Sequence, residues 1–109
     1  MKPIALVLAL VAAPAAADDW TPMSGDDIRA ALTNRVLVYE NARQDFRGSG
    51  RTLYTHKGRD SWGYWEVRGA QYCSQWPPSD LWACYDMDRA GARVRFVGTG
   101  DDITEAVYE

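Results

Sequence analysis

From Arg51 onward the chain is written in short alternating runs, and this pattern constrains its fold more than any other feature. SWGYWEVR (61–68) sets Trp65 and Val67 against Glu66 and Arg68, and ARVRFVG (92–98) sets Val94 and Phe96 against Arg93 and Arg95. Period two marks a half-buried strand, because successive side chains point to opposite faces of a sheet. It predicts Trp65, Val67, Val94 and Phe96 buried, with Arg93 and Arg95 exposed. VLVYE (36–40), RTLYTH (51–56), QYCSQW (71–76), LWACYDM (81–87) and ITEAVYE (103–109) are strands of similar length. KGRD (57–60), Gly69-Ala70, DRAG (88–91) and TGDD (99–102) are the turns between them, while NARQDFRGSG (41–50) reads as a polar loop broken by Gly48 and Gly50.

Ahead of the strands stands SGDDIRAALTNR (24–35). Ser24 can cap a helix, with Asp27 three residues on as a variant of the capping box. Asp26 and Asp27 suit the positive end of the helix dipole. Ile28, Ala31 and Leu32 share a face, and Asn34 can close the helix, which spans about Gly25 to Thr33. The expected fold is α+β, mainly β: a short N-terminal helix followed by a curled antiparallel meander of six or seven strands. The meander forms a partial barrel, with the helix over its open face or end. Curling reduces exposed sheet edge, a liability in a small protein.

The first residues have the layout of a secretory signal peptide: Lys2, an apolar core from Ile4 to Ala13, and Ala15-Ala16-Ala17 ahead of Asp18-Asp19. The apolar run is shorter than the roughly 20 residues of a membrane span. The expectation is therefore a signal peptide over 1–17 and one domain over 18–109, working in a bacterial periplasm or secreted. Without residues 1–17 the net charge is −4, and Lys57 is the sole lysine. A mildly acidic chain has no general attraction to nucleic acid or anionic lipid, so neither is an expected partner.

A domain of this size often needs a staple, and an oxidising compartment permits one. YCSQWPPSDLWACY (72–85) holds both cysteines. Cys73 and Cys84 fit neither C-x-x-C redox motifs nor paired zinc motifs, so a structural disulfide across a constrained hairpin is expected, with a reactive thiol pair as the alternative. Neither Pro77 nor Pro78 can donate to a ladder, so the strands must stop before them.

Catalytic constellations are sparse. His56 is the only histidine and reads as a solvated turn residue; no G-x-S-x-G surrounds any serine. Asp86-x-Asp88 reads as a polar strand edge, and Asp101-Asp102 as part of a hairpin turn. No metal site or cofactor is expected. Aromatic residues are the richer signal. Trp65, Tyr54 and Phe96 alternate inward as core. Trp62 and Tyr64 lie on the opposite face, and Trp76 and Trp82 flank the rigid prolines. These four are the candidate ligand-binding residues, because Trp and Tyr give rigid contact area with a polar handle.

Gly50-x-Thr52-x-Tyr54, Gly63-x-Trp65-x-Val67, Tyr72-Cys73-Ser74, Trp82-x-Cys84-Tyr85 and Val94-x-Phe96 together resemble a group of small secreted bacterial proteins. The resemblance covers about half the chain. It implies that the G-x-W-x-V strand and both cysteines belong to a common sheet scaffold, and it implies no activity. The functional expectation is a non-catalytic binding module for a small ligand or a protein partner. The alternatives are an inhibitor of an envelope hydrolase such as lysozyme, and a carboxylate-dependent hydrolase, whose paired carboxylates sequence alone cannot place.

Overall fold

The computed structural model describes residues 19–109; the expected signal peptide, residues 1–17, lies outside them. The described elements are β1 (Thr21–Pro22), α1 (Gly25–Leu32), β2 (Arg35–Val38), β3 (Ala42–Phe46), β4 (Arg51–His56), β5 (Arg59–Arg68), β6 (Gln71–Gln75), β7 (Trp82–Ala90), β8 (Arg93–Val97) and β9 (Ile103–Tyr108).

From β2 to β9 each strand pairs antiparallel with the next, and β9 returns to β2 through Leu37↔Tyr108 and Val38↔Val107. The sheet is therefore a closed eight-stranded barrel, not a partial barrel of six or seven strands. Closure removes the open edges that a curled sheet would keep. A ninth, two-residue strand, β1, adds to β7 at Thr21↔Arg89.

The strand missing from the sequence reading is β3, which lies within the expected polar loop. Its inward positions are Ala42, Gln44 and Phe46. Gln44 is buried, and its amide is hydrogen-bonded on both sides, so a polar residue holds a core position without breaking the strand. The expected four-residue turn 57–60 contracts to Lys57-Gly58. Both have positive φ, 53° and 75°, as a two-residue type I′ hairpin requires.

Helix α1 forms as its caps dictate. The Ser24 hydroxyl accepts the Asp27 amide (3.1 Å), and the Asp27 carboxylate accepts the Ser24 amide (3.0 Å). The chain leaves the helix through Asn34, left-handed at φ 59°, a standard helix stop. The Asn34 amide donates to the Phe46 carbonyl, and its side-chain oxygen accepts the Gly48 amide, which ties the helix exit to the β3–β4 turn. Ile28, Ala31 and Leu32 turn into the barrel. The helix thereby plugs the end where β2 begins and β5 finishes, as the sequence suggested for an end or open face.

Behind that plug the barrel is filled. Ile28, Leu32, Leu37, Phe46, Met87 and Val94 are fully buried. Phe46 meets Trp65 and Tyr72 edge-on at centroid distances of 5.7 and 5.8 Å, a favoured aromatic geometry. Trp65, Val94 and Phe96 are buried as expected, and Val67 packs against the core partly covered.

Arg93 and Arg95 point outward but are only half-exposed, because the segment before β1 folds over β8. The Trp20 ring lies against both guanidiniums, at 5.1 and 4.4 Å, and Arg95 also pairs with Asp88 at 2.9 Å. Trp20 and β1 are thus part of the wall. Cys73 and Cys84 stand directly opposite one another on β6 and β7 and are bonded, with Cα atoms 4.0 Å apart. No described helix is long and apolar enough to cross a membrane.

Candidate functional site

An up-and-down barrel plugged at one end leaves the other end to its loops. Here these are β2–β3, β4–β5, β6–β7 and β8–β9, and they surround an open cup of about 1250 Å³. An eight-stranded barrel has just enough interior for side-chain packing or for one small ligand, and this one divides the two uses between its ends.

The floor of the cup is polar. Gln44 is the hub: its oxygen accepts from the Tyr39 hydroxyl at 2.6 Å, and its nitrogen donates to Thr52 Oγ1 at 2.9 Å and to the Tyr72 hydroxyl at 3.3 Å. The Thr52 hydroxyl in turn donates to the Asp45 carbonyl at 2.9 Å. The network is satisfied around its central amide, the condition under which buried polar groups specify a structure. Burial drives the Tyr39 phenol far above its ordinary pKa, with smaller contributions from Tyr72 and Tyr54. Burial also raises Tyr72, against the hydrogen bonds from Ser74 and Gln44 that pull it down. Both hydroxyls are therefore neutral at physiological pH.

Above the floor runs a collar of six rings. Trp76 contacts Tyr54 (6.1 Å between centroids), Tyr54 contacts Tyr39 (6.1 Å), and Tyr39 contacts Phe96 (6.1 Å). Phe96 then contacts Tyr72 (5.0 Å), and Tyr72 contacts Tyr85 (6.4 Å). All six line the cup. Trp76 closes one end of the collar because Gly63 makes room for it: a Cβ there would lie 2.6 Å from Trp76 Cε3. Its indole N–H donates to Ser74 Oγ at 3.1 Å. At the other end, Gly98 leaves room for the Asp102 carboxylate beside Tyr85. Tyr85 is raised in pKa by burial first and by Asp102 second.

The four residues singled out from the sequence go to different places. Trp76 enters the cup. Trp62 borders it, but its ring lies on the outer face between the guanidiniums of Arg51 (4.3 Å) and Arg47 (4.8 Å). Tyr64 is exposed on the same outer face, and Trp82 lies outside under Arg68 at 4.7 Å. The structure does not bring these four together. What sequence reasoning missed is the collar itself, namely Tyr39, Tyr54, Tyr72 and Tyr85. It also missed His56, which ends β4 facing the cup, half-buried, with its ring 6.3 Å from Tyr54. The available signal was parity: Tyr72, Ser74 and Trp76 share an inward face on which small polar and aromatic residues alternate.

Asp86 accepts from Gln71 and Asp88 pairs with Arg95, so the D-x-D is an outer polar edge. Among the described residues no three His, Cys, Asp or Glu side chains group as a metal site. Comparison with family models, with curated proteins and with solved structures gives no match.

Proposed function

We propose that this chain is a non-catalytic binding protein that holds a small molecule in the open cup of its barrel. The observation that carries this reading is the unbroken run of six contacting aromatic rings that lines the open cavity, set over a hydrogen-bonded polar floor. Apolar walls with a few fixed polar groups are the common make-up of ligand sites. A core built only for stability would fill this space, as the opposite end of the barrel does. The protein works in the periplasm or outside the cell, after removal of residues 1–17. The Cys73–Cys84 bond is compatible with an oxidising extracellular compartment.

The test is a thermal-shift screen of small molecules on the exported protein, followed by calorimetry on wild type and Trp76→Ala. Hits should lose affinity in the variant while its unfolding stays cooperative. Binding unaffected by Trp76→Ala would remove the cup as the site, and inhibition of lysozyme by the purified protein would replace this reading with the inhibitor one. Mass spectrometry of the exported chain should find Asp18, or a residue close to it, at the N-terminus.

A further inference from the structure

The charges of this protein are sorted about the cup. Glu40 and Asp102 stand at its mouth, while Asp60 and Glu105 touch only its rim, with their side chains on the outer face; among the described lining residues there is no lysine or arginine, and His56 is the one imidazole. The arginines are engaged elsewhere. Arg43 forms a two-pronged pair with Glu109, Arg47 and Arg51 flank Trp62, and Arg68 covers Trp82. Arg35 and Arg89 both meet Tyr108, whose hydroxyl is bonded to the helix at Ala31. Lys57 and Arg59 stand exposed at the β4–β5 hairpin, on the cup's side of the barrel but outside its lining.

Of the four carboxylates, Glu105 is paired with Arg93 at 3.4 Å. Asp60 lies in the field of Arg43 on the outer face, and among the described residues Glu40 and Asp102 have no ion-pair partner. Asp60 accepts from Thr55 Oγ1, and Asp102 lies against Tyr85. A low-dielectric wall carrying charge of one sign focuses its field into the cavity. The collar acts in the same direction, because the face of each ring carries the negative part of the aromatic quadrupole.

We propose that the ligand of the cup is a small organic cation, an ammonium group carried on an apolar body. This rests on the cup being the binding site and adds the class of ligand. The apolar body lies against the rings, and the ammonium faces the aromatic collar and the mouth carboxylates. An anion of the same size meets the same walls and an opposing field. A fatty acid, a nucleotide or an acidic sugar is therefore the wrong class.

Three probes of similar size separate the possibilities by calorimetry at low salt: benzyltrimethylammonium, benzyl alcohol and phenylacetate. The cation should bind about tenfold or more tighter than either of the others, as expected for a partly desolvated cation–π site. Its affinity should fall with added salt and fall severalfold in Asp102→Asn. Glu40→Gln, which leaves Tyr85 and Gly98 untouched, should lower it in the same direction, and far-UV circular dichroism should confirm that both variants are folded. Equal or tighter binding of benzyl alcohol or phenylacetate overturns the cation assignment and leaves the cup as a binding site. If no probe binds, and the small-molecule screen also gives no hit lost in Trp76→Ala, the assignment and the reading beneath it both fall.

Discussion

Gly63→Ala tests the link between barrel and cup most directly. The new methyl carbon would lie 2.6 and 2.8 Å from two carbons of the Trp76 ring and 2.7 Å from the Gln75 carbonyl oxygen. Carbon atoms in contact prefer about 3.5–4.0 Å, so close to 1 Å of clearance must be found. Gln75 is held in the ladder opposite Tyr64 and Trp82, so the Trp76 ring is what yields. Overpacking of this kind costs about 1–3 kcal/mol. Losing the bond from Trp76 to Ser74 adds about 1 kcal/mol. Replacing glycine where φ is not left-handed returns about 0.4–1 kcal/mol through the unfolded chain. The expected net loss is about 2 kcal/mol, read as a lower urea midpoint by circular dichroism at unchanged slope. Trp76→Ala should remove the ring's share of the clash and leave the contact with the Gln75 carbonyl, so adding Gly63→Ala should cost less in the Trp76→Ala background than in wild type. A Gly63→Ala protein as stable as wild type, or the same cost with and without the ring, would refute the reasoning.

Replacing Cys73 and Cys84 together by alanine should cost about 3 kcal/mol, from releasing the loop between cysteines eleven positions apart, and two free thiols in the native protein on labelling would contradict the bond. Phe46→Ala empties the fully buried centre of the filled end and should cost about 3–5 kcal/mol in urea unfolding; a loss below about 1 kcal/mol would mean that the site is not packed as described. Tyr39 and Tyr72 have raised pKa values, so their share of stability is complete below the ordinary tyrosine pKa and declines as pH rises above about 10, where the unfolded chain gives up its protons first. Ultraviolet titration should show the Tyr39 and Tyr72 phenols ionising only with unfolding; ionisation of both in the folded protein would count against the polar floor.

The filled half of the barrel was legible in the sequence, and the open half was not. Ser24, Asp27, Ile28 and Leu32 announced the helix because caps and faces are local chemistry. Trp65, Val94 and Phe96 announced their faces because apolar and polar residues alternate there. In β3 the inward residues are Ala42, Gln44 and Phe46, and the outward ones Arg43 and Asp45, so the alternation is broken where the cup needs an amide. A polar interior erases the pattern that reveals an interior. Barrel closure was equally hidden, because the pairing of Leu37 with Tyr108 depends on no local feature of either strand. Arg93 and Arg95 misled for a related reason: that Trp20 would cover them is a long-range fact.

The seam between β2 and β9 joins strands roughly 70 residues apart, and that governs when the molecule can assemble. While the chain is still being synthesised, β2 is available early and its final neighbour, β9, follows all the other strands. Until then β2 keeps an open edge that can pair with any other free strand, and loop-closure entropy delays the pairing that would protect it. The barrel is therefore an all-or-none product of a chain that has reached β9, dependent until then on being held apart from its copies.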